Sequence, residues 1–309
     1  MNNGLNGTRI LVAGASGFLG RHLIRRLTGA GAEVLAVSRS LQSESQGVHW
    51  RRGDLRDPAA VRSAFADINP EVVYQLCGYP DASRELSLVL PTLQSDILTT
   101  ANLLLAAVEK PVRRFITTAS LEEPRSGEPP TSPYSAAKMS SVAYARMFHL
   151  LYQVPVVILR PFMTYGPEQP ERKIISYVIR SLLKGEMPKL SSGNRLVDWI
   201  YIDDVIGGFL AAAVAPRIEG GTFDLGTGEM VSIREVVNRL AGLTKSGIQP
   251  RFGTLPDRPF EQVRIADTET AKLRLGWQAK VSLSDGLRLT VDWWKDRFSA
   301  PVSKPGRGD

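Results

Sequence analysis

The run Gly14-Ala15-Ser16-Gly17-Phe18-Leu19-Gly20, set directly behind the apolar segment Arg9–Ala13, constrains this chain more than any other stretch. RILVA reads as a buried strand, and Leu19, Leu23 and Leu27 behind the glycines recur at helical spacing. A backbone that turns from strand to helix in so few residues exposes several N–H groups. A Cβ at the glycines would hold a pyrophosphate away from them, and a third glycine lets the helix pack closely on the sheet. A turn with chance glycines is the bland alternative. Its place between a strand and a helix at the front of the chain argues instead for a dinucleotide site.

Further strands are expected at 33–37, 71–76, Arg114–Thr118 and 154–159, with helices over 99–108 and Pro133–Tyr152. This alternation predicts βαβ units around a parallel sheet, an α/β, doubly wound architecture. The second half is less regular: helices at 173–184, 232–240 and 283–294, strands at 199–202 and Thr222–Leu225, and a helix start at Asp203-Asp204. We therefore expect a dinucleotide-binding domain over 1–160, to which 196–226 returns. A smaller, mixed α/β C-terminal substrate domain would take 161–195 and 227–298. The tail 299–309, SAPVSKPGRGD, has too little apolar content to pack and is expected to be disordered.

Composition narrows the function classes. With 43% hydrophobic and 22% charged residues among 309, the chain can bury a core, which excludes a disordered or collagen-like protein. One cysteine, Cys77, cannot make an intrachain disulfide and suits a reducing compartment; with three scattered histidines it offers no zinc site, so no metal is expected. The longest apolar run, 209–215, is far short of the roughly 20 residues that span a bilayer. The opening MNNGLNGT has no signal-like pattern. A cytoplasmic protein without a membrane partner is expected. The net charge of +7 favours anionic partners. The pairs Arg25-Arg26, Arg51-Arg52 and Arg113-Arg114 are scattered without interleaved aromatics, so solvated faces rather than nucleic acid are expected.

The end of the second strand refines the cofactor. NAD sites place an acidic residue there for the ribose hydroxyls; this chain has Ser38-Arg39. A guanidinium holds a 2′-phosphate that a carboxylate would repel, so NADP(H) is favoured, with NAD(H) as the alternative. Asp54 falls at the next strand end, within reach of an adenine amino group.

Tyr134 and Lys138 lie four apart in Pro133-Tyr134-Ser135-Ala136-Ala137-Lys138, on one helix face. An ammonium beside a phenol stabilises the phenolate and suits it to proton transfer. With the glycine loop and Ser120 upstream, the pair carries more than a structural meaning. Over about 9–294 the chain resembles the extended short-chain dehydrogenases/reductases, the nucleotide-sugar epimerases, dehydratases and ketoreductases. The glycine loop, YSAAK, RPFMTYGP at 160–167, DWIYIDDV at 198–205, FDLGTGEMVSIREV at 223–236 and RPFEQVRIADTETAKLRLGW at 258–277 carry the likeness.

The resemblance implies a Rossmann-like fold, a homodimer through the helices 99–108 and 136–150, and a nucleotide-diphosphate sugar as substrate. It assigns catalysis to Ser120, Tyr134 and Lys138. Cofactor contacts would come from Gly14, Ser16, Gly17, Phe18, Leu19, Gly20, Ser38, Arg39, Asp54, Leu55 and Pro161, with Tyr134 and Lys138. Glu122, Met163, Arg195, Arg258 and Glu261 would face the substrate, Arg258 at its diphosphate and Glu261 at its ribose. Four departures stand out. Met163 replaces an Asn; Val197 replaces an Arg, with Arg195 two residues earlier; Gln75-Leu76-Cys77-Gly78 replaces a His-Leu-Ala-Ala-like stretch; and the loop from Ser120 to Tyr134 is short.

The favoured reading is an NADPH-dependent reductase of a nucleotide-activated 4-keto-6-deoxy sugar. The alternative is a 4-epimerase, or a 4,6-dehydratase with Glu122 as base, although Leu121 stands where some dehydratases carry their acid. Retention of Ser120, Tyr134 and Lys138 argues against a silent dinucleotide-binding protein. Arg39→Ala should weaken binding of NADPH much more than of NADH in a direct titration. Equal losses would show that Arg39 does not read a 2′-phosphate.

Overall fold

The RILVA run becomes β1 (Arg9–Ala13), and in the computed structural model, which describes residues 3–42, 47–125 and 127–299, it is the strand from which the chain winds both ways. It leads through the glycine turn into α1 (Phe18–Gly29), then outward to β2 (Glu33–Ser38) and β3 (Val48–Arg52). After α2 (Pro58–Ile68) the chain returns to the other side of β1 as β4 (Val72–Gln75). A nearly continuous helical stretch follows: α3 (Val89–Thr92), a π-helical turn (Leu93–Leu98) and α4 (Thr99–Glu109). Then come β5 (Arg114–Thr118), α5 (Pro133–Tyr152) and β6 (Val156–Pro161).

All pairings in the resulting sheet are parallel, in the order β3-β2-β1-β4-β5-β6 with a later strand beyond β6. Side chains of β1 alternate between its two faces. Ile10 and Val12 join the apolar layer with Leu23 and Leu27 of α1, while Leu11 and Ala13 join the layer with Phe65, Leu103 and Val142. The expected doubly wound, Rossmann-like sheet is therefore present. Its winding reverses between β1 and β4, and open α/β sheets bind ligands in the crevice beyond such strand ends.

From β6 the chain passes through Phe162 into a second sheet at β7 (Met163–Tyr165), then α6 (Ile174–Leu183) and β8 (Leu196–Tyr201). α7 (Ile202–Val214) packs beside α1, and β9 (Thr222–Leu225) pairs with β6 in the large sheet. β10 (Met230–Ser232), α8 (Ile233–Thr244), α9 (Thr268–Leu275) and α10 (Leu283–Ser299) complete the described chain. The small sheet is mixed: β8 is parallel to β7 and antiparallel to β10.

The segment 196–226, expected to return as a block to the first unit, divides. β8 stays in the small sheet because its edges pair with β7 and β10, and only α7 and β9 go back. The tail expected to be disordered lies, from residue 300 onward, outside the described residues. The stretch Leu86–Glu109 reaches the length and mean hydropathy (1.2) of a membrane span. Its Asn102 amide, however, is buried and donates to the carbonyls of Leu55 and Arg56 at 3.1 and 2.9 Å, which ties it to the sheet edge.

Asp198, 1% exposed on β8, joins the two sheets electrostatically. Oδ1 accepts from the Thr227 amide and hydroxyl, both at 2.8 Å, and Oδ2 accepts from the Gly228 and Ala266 amides at 3.0 and 3.2 Å. This carboxylate fixes the end of β9 and the segment that leads to α9. Asp198→Ala strips one buried and three half-buried donors of their acceptor and should cost about 3 kcal/mol. A fall of that size in the unfolding free energy extrapolated from urea denaturation checks it.

Candidate active site

The glycine loop is shaped by close approach. Gly14 has φ +81°, and a Cβ there would lie 2.7 Å from the Leu76 carbonyl carbon. At Gly20 it would run into the Gly14 carbonyl oxygen and Ala15. The Gly17 amide closes the turn by donating to that oxygen at 3.1 Å. No side chain caps α1, and its first turn carries no acid, so its leading amides and positive dipole end face the crevice. This cradle fits the pyrophosphate of a dinucleotide. Phe18 and Leu19 are half-buried at the start of α1.

At the end of β2 the buried Ser38 hydroxyl donates to Ser16 Oγ at 3.2 Å, linking the strand end to the glycine loop. Arg39 is exposed and has no partner among the described residues. Asp54 is gripped by Arg56 through contacts of 2.5 to 2.9 Å. That hydrogen bonding holds its carboxyl below the usual carboxylate range. Leu55 is buried beside it, and Pro161 ends β6.

Ser120, Tyr134 and Lys138 come together at the carboxyl end of β5. Ser132 caps α5 by accepting from the Ser135 amide at 3.1 Å, and Pro133 fits the first turn. Tyr134 and Lys138 then project on one face. The Ser135 hydroxyl donates to the Glu122 carbonyl at 2.7 Å, so the short loop is pinned to α5 and Ser120 meets the phenol. Ser120 Oγ accepts from the Glu122 amide at 3.1 Å, which directs its own proton away from the loop.

Lys138, 7% exposed, donates to Thr118 Oγ1 at 3.0 Å and forms an ion pair of 3.1 Å with Asp96. Burial alone would depress the ammonium, but Asp96 and Tyr134 outweigh it and hold the group above its usual range. Burial also pushes the Tyr134 phenol up; Lys138 and Ser120 pull against that without cancelling it.

The acids that follow Ser120 are already engaged. Glu122 pairs with Arg195 at 3.1 Å, and the same guanidinium pairs with Glu261 at 3.2 Å and donates to the Gln262 carbonyl. Glu123 accepts from the Ser120 amide at 3.2 Å and pairs with Arg160, which also holds Asp224 at 2.6 Å. Leu121 is buried. Met163 is half-buried on β7 beside Trp199. Arg258 is exposed and, among the described residues, makes no hydrogen bond or ion pair with the Arg195 cluster.

Two charged residues escaped the sequence reading. Lys173 stands just before the first turn of α6 without capping it, and donates to the Pro80 carbonyl at 2.9 Å; burial depresses its ammonium, and neighbouring Arg172 and Arg258 add to that. A cation at a helix N-terminus opposes the dipole, and that was the available signal. Asp96 is the other, a lone acid in an apolar run.

The profile of the NAD dependent epimerase/dehydratase family matches residues 10–226. The chain belongs to that family. It is therefore an enzyme class member whose relatives act on nucleotide sugars. A UDP-glucose 4-epimerase of Mycolicibacterium smegmatis is 26% identical, covering 94% of this chain and 99% of its own. A probable dTDP-glucose 4,6-dehydratase of Sinorhizobium fredii is 27% identical, with 93% and 92% covered. Among solved structures, the Thermotoga maritima UDP-glucose 4-epimerase with UDP-glucose superposes with a TM-score of 0.86 at 25% identity, covering 94% of this chain and 99% of that one. MoeE5 in complex with UDP-glucuronic acid and NAD gives 0.84 at 29% identity, with 93% and 99% covered. These relatives fit the epimerase/dehydratase alternative better than the reductase reading.

At Gly17 a Cβ would meet only the Gly14 oxygen, at 3.2 Å. Gly17→Ala should therefore leave the melting temperature nearly unchanged while weakening dinucleotide binding about tenfold or more. Calorimetric titration beside a thermal melt checks it; unaltered binding would remove the pyrophosphate from this loop.

Proposed function

We propose that this chain is a nucleotide-sugar 4-epimerase, which oxidises and re-reduces one sugar carbon with a retained nicotinamide dinucleotide. One observation carries the choice. The Ser120–Tyr134–Lys138 group is complete, whereas the groups a dehydratase would also need are spent or missing. Glu122 is bound to Arg195, Glu123 to Arg160 and the Ser120 amide, and Leu121 is apolar and buried. The two acids beside Ser120 are thus already engaged by arginines, and neither is free to take a C5 proton or to assist loss of a C6 hydroxyl.

In this reading Tyr134 takes the proton of the sugar 4-hydroxyl and later returns it. Ser120, its oxygen already engaged by the Glu122 amide, donates to the same sugar oxygen and stabilises charge that develops there. Lys138 opposes the phenolate charge from below. The bound nicotinamide supplies the hydride exchange. Arg258 and Lys173 would steer the diphosphate, and the two solved structures holding UDP-glucose and UDP-glucuronic acid support a UDP-sugar over the dTDP-sugar named for the dehydratase relative.

A second reading, an NADPH-dependent reductase of a 4-keto-6-deoxy sugar, is favoured by Ser38 and the unpaired Arg39, which suit a 2′-phosphate. We also propose a homodimer. Leu90, Leu93, Leu105, Tyr144 and Leu151 are exposed along Leu86–Glu109 and α5, the helices implied for that contact.

The purified protein should interconvert a UDP-sugar and its 4-epimer without net change in nicotinamide absorbance. Stoichiometric consumption of NADPH by a 4-keto sugar nucleotide would select the reductase. Tyr134→Phe should abolish either turnover while dinucleotide binding is largely kept; full activity in that variant would remove Tyr134 from the chemistry.

A further inference from the structure

The carboxylate of Asp96 faces this site and has no place in the chemistry above. Its side chain is 0% exposed, inside the π-helical turn between α3 and α4. Such turns interrupt a helix at a cost and are frequent at functional positions. Oδ2 is anchored, accepting from the Tyr79 amide at 3.0 Å and the Ser95 hydroxyl at 3.1 Å. Oδ1 has no hydrogen-bond partner apart from the ammonium of Lys138, which lies 3.1 Å away. A buried carboxylate with half its capacity aimed at one ammonium is costly unless that ammonium stays charged.

The backbone around it is cut to admit this pair. A Cβ at Gly78 would sit 2.7 Å from Asp96 Oδ1 and 3.4 Å from Lys138 Nζ, so even alanine at this position displaces the carboxylate. Gln75 donates to Thr100 Oγ1 at 2.9 Å, and Thr100 donates to the Asp96 carbonyl at 2.6 Å, which fixes the turn from the strand side. Gln75 and Gly78 belong to the stretch that departs from the family pattern. Both serve the placing of Asp96.

We propose that Asp96 is a positioning residue for Tyr134 and Lys138: its carboxylate fixes the Lys138 ammonium and, by its charge, makes the pair release its first proton less readily. The inference rests on the proposed role of Tyr134 as acid and base. The other groups that face the pair supply less of this charge. Glu122 acts on Tyr134 and Glu123 on Lys138 in the same direction, but behind Asp96, and each is paired with an arginine, Arg195 and Arg160. Ser120 and Thr118 are neutral, and burial pushes the Cys77 thiol up to about 12. Asp96 is therefore the carboxylate that weighs most on the balance between phenol and phenolate. Removing its charge favours proton loss from the pair, whichever of the two groups gives the proton up. The effect is a bias: the wild-type pair is held as a proton donor for the reduction half, and oxidation speeds up as pH rises.

Two experiments on the holoenzyme test this. In Asp96→Asn, which keeps an acceptor for the Tyr79 amide, the rise with pH of the single-turnover rate of sugar oxidation should move about one unit toward lower pH. Asp96→Ser should move it the same way if Asn perturbs the fold. Independently of turnover, Asp96→Asn, Lys138→Met and the double variant form a cycle in urea denaturation. The double variant should be at least about tenfold less unfolded than the two single losses predict. An unmoved profile or an additive cycle would overturn the proposal. No turnover of any sugar nucleotide, with a non-additive cycle, would reject the proposed reaction and leave the Asp96–Lys138 pair standing.

Discussion

An ammonium group buried at the carboxyl end of a parallel sheet is the interaction on which the rest of this site depends. Lys138 can stay charged there only because Asp96 and Thr118 receive it, and because α5 holds it one turn from Tyr134. Remove that charge and the phenol loses what makes its ionised form accessible in a dry pocket. The ammonium is held by three separate elements: β5 through Thr118, the π turn through Asp96, and α5 itself. Its position is thereby fixed from several sides, as the proposed role beside Tyr134 requires.

The fold delivers the remaining parts to the same crevice. β1 and β4 part where the winding of the sheet reverses, and Gly14 brings the first turn against Leu76 at that point. β6 runs straight into the small sheet, so the strand that closes the cofactor side also opens the opposite wall. Along that wall, Arg195 binds Glu122 from the catalytic loop and Glu261 from the segment that leads to α9. The acids next to Ser120 are thus structural struts, and this favours a reaction confined to one carbon over one that also removes water.

What was legible in the sequence was local. The glycine spacing behind RILVA and the four-residue step from Tyr134 to Lys138 describe geometry within one turn or one helix, and both reappear unchanged. Six strands of the large sheet were readable because they are short apolar runs between turn residues; β3, VHWRR, is polar and partly exposed, and only its end before Asp54 was read. Of the small sheet only β8 was read, as a strand at 199–202, since β7 and β10 have three residues each, too few to show a period. α2 went unread although Asp57 and Pro58 mark its start. The pairing of Glu122 with Arg195 spans 73 residues and follows only from the folded topology. Asp96 was hidden for another reason. The run from Leu86 to Leu98 carries a proline and exposed leucines, shows no amphipathic stripe, and gives no hint that its acid points inward.

The claim that the reaction stays on one carbon is tested most directly with a UDP-sugar deuterated at C4, with the product's isotope position read by NMR. The account predicts a 4-epimer that keeps its deuterium on C4 during incubation in ordinary water. Deuterium found on C6 of a dehydrated product, or lost to solvent, would contradict it.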